Sequence, residues 1–246
     1  MTRFLKSVLR CVLNPFRAKI SAWKHLCLSI FYFYFRHEKY AVVQDQQTLW
    51  ENRTEQDFLD IKNVDNDPYY QKFDEFIYEK LKNSDGQTYL EIGCHFGYRL
   101  AKFSKILPDK KFHGLDIGET NLRYGQKNIP NLKNIPLITA NATQLPLKNR
   151  QFDVVYTVVS LTHIDFSIVE NAISEMTRAC NHRMLLVEVD HRPMSFFRKL
   201  GILAWNYGHM HYYEKLVDDR MELISITPLK DETGHPRYTA FEFKRK

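Results

Sequence analysis

The side chains with most chemical potential in this sequence are few, and they recur at the ends of apolar runs. Gly93 and Gly97 interrupt Thr88–Phe103 (TYLEIGCHFGYRLAKF), which starts as an apolar run and resumes at helical spacing. A strand, a glycine turn and a helix in that order bring backbone amides close to a phosphate or nucleoside. A dinucleotide site would carry G-x-G-x-x-G, but His95 and Tyr98 stand in the second and third glycine places. Asp116 ends the next apolar run, nineteen residues after Gly97. An acid there can accept hydrogen bonds from both hydroxyls of an adenosyl ribose. Asn141 ends a third run, where a short polar side chain can meet an adenine edge. His163 and His191 follow the fourth and fifth runs. An imidazole titrates near pH 6.5 in isolation, which suits a general base above such a cleft. His163 is the first choice for that role, His191 the second and His95 the third.

The elements that must hold these residues alternate. Tyr69–Leu81 has Tyr70, Phe73, Phe76, Ile77 and Leu81 at three- and four-residue spacing and reads as an amphipathic helix. Strands are expected at Tyr89–Ile92, Lys111–Leu115, Asn134–Ala140, Phe152–Val159, Arg183–Val189, Met221–Ile226 and Tyr238–Phe243. Helices are expected at Glu119–Asn128 and Ile168–Ala179, the latter capped by Asp165 or Ser167. The fold class that follows is α/β, a seven-stranded, mostly parallel sheet with helices on both faces and an antiparallel last strand. A ligand then belongs at the carboxyl ends of the strands, near the switch point after the first.

Four stretches in order carry a resemblance to a known family. These are Leu90-Glu91-Ile92-Gly93-Cys94-x-x-Gly97, Gly114-Leu115-Asp116-Ile117, Asn141-Ala142-x-x-Leu145-Pro146 and Phe152-Asp153-Val154-Val155. Over residues 70–189 the chain resembles the class I, Rossmann-like S-adenosylmethionine-dependent methyltransferases that act on small molecules. The resemblance implies S-adenosyl-L-methionine as cofactor, bound by Glu91, Gly93, Cys94, Gly97, Asp116, Ile117, Asn141, Ala142 and Val158. In that reading Gly93 and Gly97 admit the ligand to the backbone, and Glu91 orients its amino-acid end. Asp116 holds the ribose, Asn141 and Ala142 meet the adenine, and Val158–Ser160 line the methionine arm. His95 departs from the family's middle glycine, and Asn141 from its acid. Ser160-Leu161-Thr162-His163 is unlike the Asn/Asp-Pro-Pro-aromatic run of the amino-directed DNA and protein glutamine enzymes. Val158-Val159-Ser160 lacks the first carboxylate of the metal-dependent catechol type, so no metal is expected.

Charge divides the chain. Residues 1–40 carry eight Lys/Arg against Glu38, so the +6 of the whole leaves the remainder at −1. That distribution argues against a nucleic-acid groove across the body. The apolar run Leu26–Phe35 is about half the roughly 20 residues needed to span a bilayer. No small-residue cleavage site follows it, as a secretory leader would have. Residues 1–40 are therefore read as a helical N-terminal extension that either contacts an anionic membrane surface or packs as a cap. Residues 41–246 are read as the methyltransferase-like domain. Four scattered cysteines, with no CxxC pair, suit reduced thiols in the cytoplasm. Asp190–Tyr213 is dense in aromatics and reads as a lid over an acceptor, or as a packed helix. The expected activity is methyl transfer to a small or lipid-linked acceptor, on oxygen. An NAD-type oxidoreductase and a non-catalytic, membrane-associated relative stay open beside it, as do the acceptor's identity and the oligomeric state.

Overall fold

The computed structural model describes Trp50 and residues 68–164, 167–190, 212–230 and 236–246. The basic segment 1–40, Asp165, His191 and the aromatic stretch up to residue 211 lie outside them.

Helix α1 (Pro68–Lys82) repeats an apolar residue every fourth position, and Phe73, Ile77 and Leu81 are all buried. Strand β1 (Thr88–Ile92) follows and lies inside the sheet. The chain continues through α2 (Tyr98–Ile106), β2 (Lys111–Asp116), α3 (Glu119–Asn128) and β3 (Leu137–Thr139). Then come β4 (Phe152–Val158), α4 (Val169–Ala179), β5 (Cys180–Val189), the single turn α5 (Tyr213–Leu216), β6 (Met221–Lys230) and β7 (Pro236–Arg245).

The strands lie in the order β3-β2-β1-β4-β5-β7-β6. Pairs β1–β2, β1–β4, β2–β3 and β4–β5 are parallel; β7 runs antiparallel to both its neighbours. This is the seven-stranded, mostly parallel α/β sheet that the alternating pattern predicts. Buried on both faces, the inner strands feed two cores. On β5, Leu185 and Val187 enter one core, whereas Met184 and Leu186 enter the other. The first core takes its helical side from α1, α2 and α3, and the second from α4 and Tyr213. A register shift between Phe152 and Val154 puts those two residues into opposite cores.

Some boundaries differ from expectation, each for a local reason. Strand β3 is three residues long because Pro130–Asn134 winds into a 3-10 turn and Pro136 follows directly. Strand β6 runs past Ile226 to Lys230, through Pro228, which an edge strand tolerates. The N-cap position of helix α4 is Ile168, one residue beyond Ser167. Tyr213 is fully buried and packs on Phe241 at 5.4 Å between ring centroids, so it belongs to the core and not to a lid.

Candidate active site

Because β1 lies between β2 and β4, the chain leaves it in opposite directions on either side. In such a sheet the carboxyl ends of these strands are where a ligand cleft is expected. The exit of β1 is tied to β2: Gly93 N and Cys94 N both donate to Leu115 O, at 2.7 and 3.1 Å. Gly93, His95 and Gly97 then adopt left-handed backbone, with φ of 77°, 52° and 78°. Only glycine takes that conformation freely; histidine does so at some cost. Both glycines also answer to packing. A Cβ on Gly93 would lie 2.0 Å from Ser160 Oγ, and one on Gly97 2.6 Å from Leu132 Cδ2. The two glycines therefore admit neighbouring side chains as well as shaping the turn.

Asp116 sits at the end of β2, buried. Its Oδ2 accepts from His95 N at 2.7 Å and its Oδ1 from Gly118 N at 2.9 Å. Burial pushes its carboxyl above the usual range, against the pull of the Gly118, His95 and Ile117 amides. With the His95, Gly118 and Ile117 amides in place, about one of the carboxylate's lone-pair sites is left for a ribose hydroxyl. Ile117 contributes its amide to this carboxylate.

Other residues named from the sequence are placed differently. The Glu91 carboxylate is buried and turned inward, accepting from Arg99 Nη1 at 3.4 Å and Tyr156 Oη at 3.2 Å. Burial, opposed by Arg99, raises its pKa. Arg99 also pairs with Asp74 of α1 at 3.0 Å, so Glu91 braces β1 to α1, α2 and β4. The Cys94 thiol faces the first core and is pushed well up, first by burial and then by the Asp116 and Glu91 charges. Asn141 is exposed. Its Oδ1 accepts from the amide and hydroxyl of Thr143, at 2.9 and 2.8 Å, forming an Asx turn beside Ala142.

On the far side of β1, buried Val158 ends β4 and Val159 adopts φ 54°, a rare conformation for a β-branched residue. A 3-10 turn, Leu161–His163, follows. Glu188 of β5, wholly buried, holds this loop. Its Oε1 accepts from Ser160 N and Leu161 N, both at 3.1 Å, and its Oε2 from Thr162 N at 3.2 Å. Burial pushes the carboxyl up to about 7, against the Thr157 hydroxyl and the three amides.

Trp50 links the loops. Its ring lies 4.8 Å from that of His163 and 5.6 Å from that of His95, centroid to centroid. His95 in turn packs on Phe96 at 4.1 Å. Asn121 Nδ2, in the first turn of α3, donates to Trp50 O at 2.9 Å. The indole thus meets the loops after β1 and β4, and the Trp50 main chain is held by α3. Trp50 and Glu188 were not picked out from sequence. The signal for Glu188 was a lone acid inside the apolar run Arg183–Val189; Trp50 carried none. Among the described residues no cluster of His, Cys, Asp and Glu is set to hold a metal ion.

Residues 90–183 match the family model described as a methyltransferase domain. Among solved structures, magnesium protoporphyrin IX methyltransferase from Synechocystis PCC 6803, with bound SAH, superposes with a TM-score of 0.63 at 16% identity. The match covers 82% of this chain and 100% of that one. The N-methyltransferase NodS from Bradyrhizobium japonicum WM9, in complex with S-adenosyl-L-homocysteine, gives 0.60 at 12% identity, covering 74% and 90% of the two chains. Geranyl diphosphate C-methyltransferase from Streptomyces coelicolor A3(2) gives 0.58 at 13%, covering 72% and 79%. No curated protein matches the chain in sequence. Residues 90–183 thus match a methyltransferase domain, and the chain shares its fold with methyltransferases of known structure.

Proposed function

We propose that the chain binds S-adenosylmethionine across the carboxyl ends of β1–β4 and transfers its methyl group to an oxygen of a small or lipid-linked acceptor. The observation that carries this reading is the convergence on one cleft edge of a fixed carboxylate, Asp116, and two imidazoles, His95 and His163, bridged by Trp50. The donor set fits an adenosyl ligand. Asp116 is oriented by loop amides with acceptor capacity left over, and the turn before it presents backbone at Gly93–Gly97. When bound, the cofactor supplies an electrophilic methyl on a sulfonium.

The chain's own residues align and deprotonate. Asp116 accepts from a ribose hydroxyl, and Asn141 and Ala142 border the adenine. Val158–Ser160 line the methionine arm, beside Gly93. Alignment of this kind supplies roughly 7–11 kcal/mol of such a barrier. His163, half-buried at the end of its 3-10 turn, takes the proton from the acceptor hydroxyl at an imidazole nitrogen. His191 is the second candidate for that step and lies outside the described residues. Structural neighbours named for a porphyrin and for geranyl diphosphate support a small-molecule acceptor.

Calorimetry with S-adenosylhomocysteine tests the cofactor site. Wild type binds, and Asp116→Ala weakens binding by about tenfold or more, the scale of charge-assisted hydrogen bonds lost at about 1.4 kcal/mol per decade. Absence of binding to the wild type overturns the reading.

The +7 carried by residues 1–40 supports a separate segment that contacts the anionic cytoplasmic face of a membrane, which would bring the domain to an amphiphilic acceptor. No helix among the described residues is long and apolar enough to cross a membrane. Deletion of residues 1–40 is expected to abolish co-flotation with anionic liposomes, and retained flotation would remove this part of the proposal.

A further inference from the structure

We propose that Glu188 is the positioning residue of this site, and that as the carboxylate it locks the Val159–His163 loop against the glycine turn. The function of the lock rests on the cofactor reading given above; its existence does not.

Val159 sits in left-handed backbone, which no β-branched side chain adopts without an external constraint. Hydrogen bonds on both sides of the residue supply that constraint. On one side, Val159 N donates to Val187 O at 2.8 Å, so the residue is stitched to β5. On the other, the three successive amides of Ser160, Leu161 and Thr162 all point at the Glu188 carboxylate. Three converging N–H groups form a nest for an anion, and here the anion is internal.

The lock has two ends in the cleft. Its first amide belongs to Ser160, whose side chain fills the space that only a glycine at 93 leaves open. Its last belongs to Thr162, directly before His163, whose ring meets Trp50. One buried carboxylate therefore sets both the wall beside the β1 turn and the place of the proposed base.

Its charge state decides how well the lock holds. Ionised, the group is acceptor-only and can serve all three amides; protonated, it turns one oxygen into a donor that faces donors. The groups around it are the Thr157 hydroxyl of β4, its register partner Thr239 of β7 and the loop amides. From α5 comes Tyr213, whose phenol burial keeps neutral, with the Glu188 and Asp190 charges adding to that effect. With the carboxyl titrating at about 7, loop order and cofactor affinity change across the neutral range.

The experiment uses the full chain, ligand-free and with S-adenosylhomocysteine. Amide hydrogen exchange of a peptide covering residues 158–164 is corrected for intrinsic rate and followed from pH 6 to 8. Wild-type protection is expected to rise through about pH 7. Glu188→Gln is expected to lose roughly tenfold in protection at pH 8 and to show no such rise, while a peptide covering β2 stays unchanged. Equal protection in Glu188→Gln and wild type at pH 8 overturns the lock; a flat wild-type profile overturns its pH dependence between pH 6 and 8. In the second arm, affinity for S-adenosylhomocysteine follows the same pH limb in wild type and is weaker and flat in Glu188→Gln. An unchanged affinity in the variant overturns the functional half. If the wild type binds no S-adenosylhomocysteine, the cofactor reading fails, and exchange alone still decides the lock.

Discussion

The loops that leave β1 and β4 solve one problem in two ways. Each turns sharply at the carboxyl edge through left-handed backbone, and each is held by a carboxylate on the neighbouring strand, through the one amide of His95 after β1 and through three successive amides after β4. After β1 the turn is built from Gly93, His95 and Gly97, and the carboxylate is Asp116 on β2. After β4 there is no glycine: Val159 takes the left-handed position, and the carboxylate is Glu188 on β5. Asp116 takes amides from two different loops and is 7% exposed; Glu188 takes three successive amides of one loop and is 0% exposed. The difference separates a group that can serve a ligand from one that serves the protein. Asp116 has a lone-pair site left over at the cleft. Glu188 is enclosed, so its influence on chemistry passes through the loop it holds.

The largest expected effect breaks the contact between the two loops. Gly93→Val places a branched side chain at φ 77° and within 2.0 Å of Ser160 Oγ, so loss of about 4 kcal/mol or more is expected in urea unfolding. Ser160→Gly in the same chain should recover part of that loss, since it removes the obstacle and leaves the backbone strain. No recovery would mean that the two loops do not meet at Gly93.

A second effect follows from the enclosure of Glu188. Its folded pKa of about 7 lies above the 4.5 of the free side chain. The folded state therefore binds the proton more tightly. Its stabilising contribution is complete below pH 4.5 and is lost as pH rises to about 7, on the order of 3 kcal/mol in all. Thermal unfolding across that window should show the decline in wild type and a flatter profile in Glu188→Gln. A stability that rises over the same window would contradict an enclosed carboxyl.

The smallest effect is at Val159. Glycine there relieves the left-handed strain but gives up packing against the first core, so Val159→Gly is expected to stay within about 1 kcal/mol of wild type. A loss above about 2 kcal/mol would show that the valine side chain, rather than Glu188, fixes the loop.

What the sequence disclosed follows the same physical division. Periodic elements were legible, because burial on a helix or in a parallel strand imposes its pattern on the residues. Glu119–Asn128 falls where expected, and β1 and β2 extend by one residue each. The 3-10 turns at Pro130–Asn134 and Leu161–His163 are too short to show a period. Gly93 and Gly97 were read as room for a ligand, and in the structure they are also room for Ser160 and Leu132. That distinction depends on which distant side chain arrives, and no local pattern records it. Glu91 and Glu188 look alike as single acids in apolar strands. Only the fold shows that one braces helices through Arg99 while the other gathers amides.

The edge strand β6 has a consequence for the behaviour of the protein in concentrated solution. It is ten residues long and closes the sheet, with Leu223, Ile224 and Ile226 each 40% to 48% exposed. Such an edge can recruit a strand from another molecule. Pro228 removes one N–H from this strand, and register shifts between Leu223 and Ser225 and between Leu229 and Lys230 bend it out of a flat ladder. The edge is thereby a poor template for self-association, although its side chains are apolar enough to invite it.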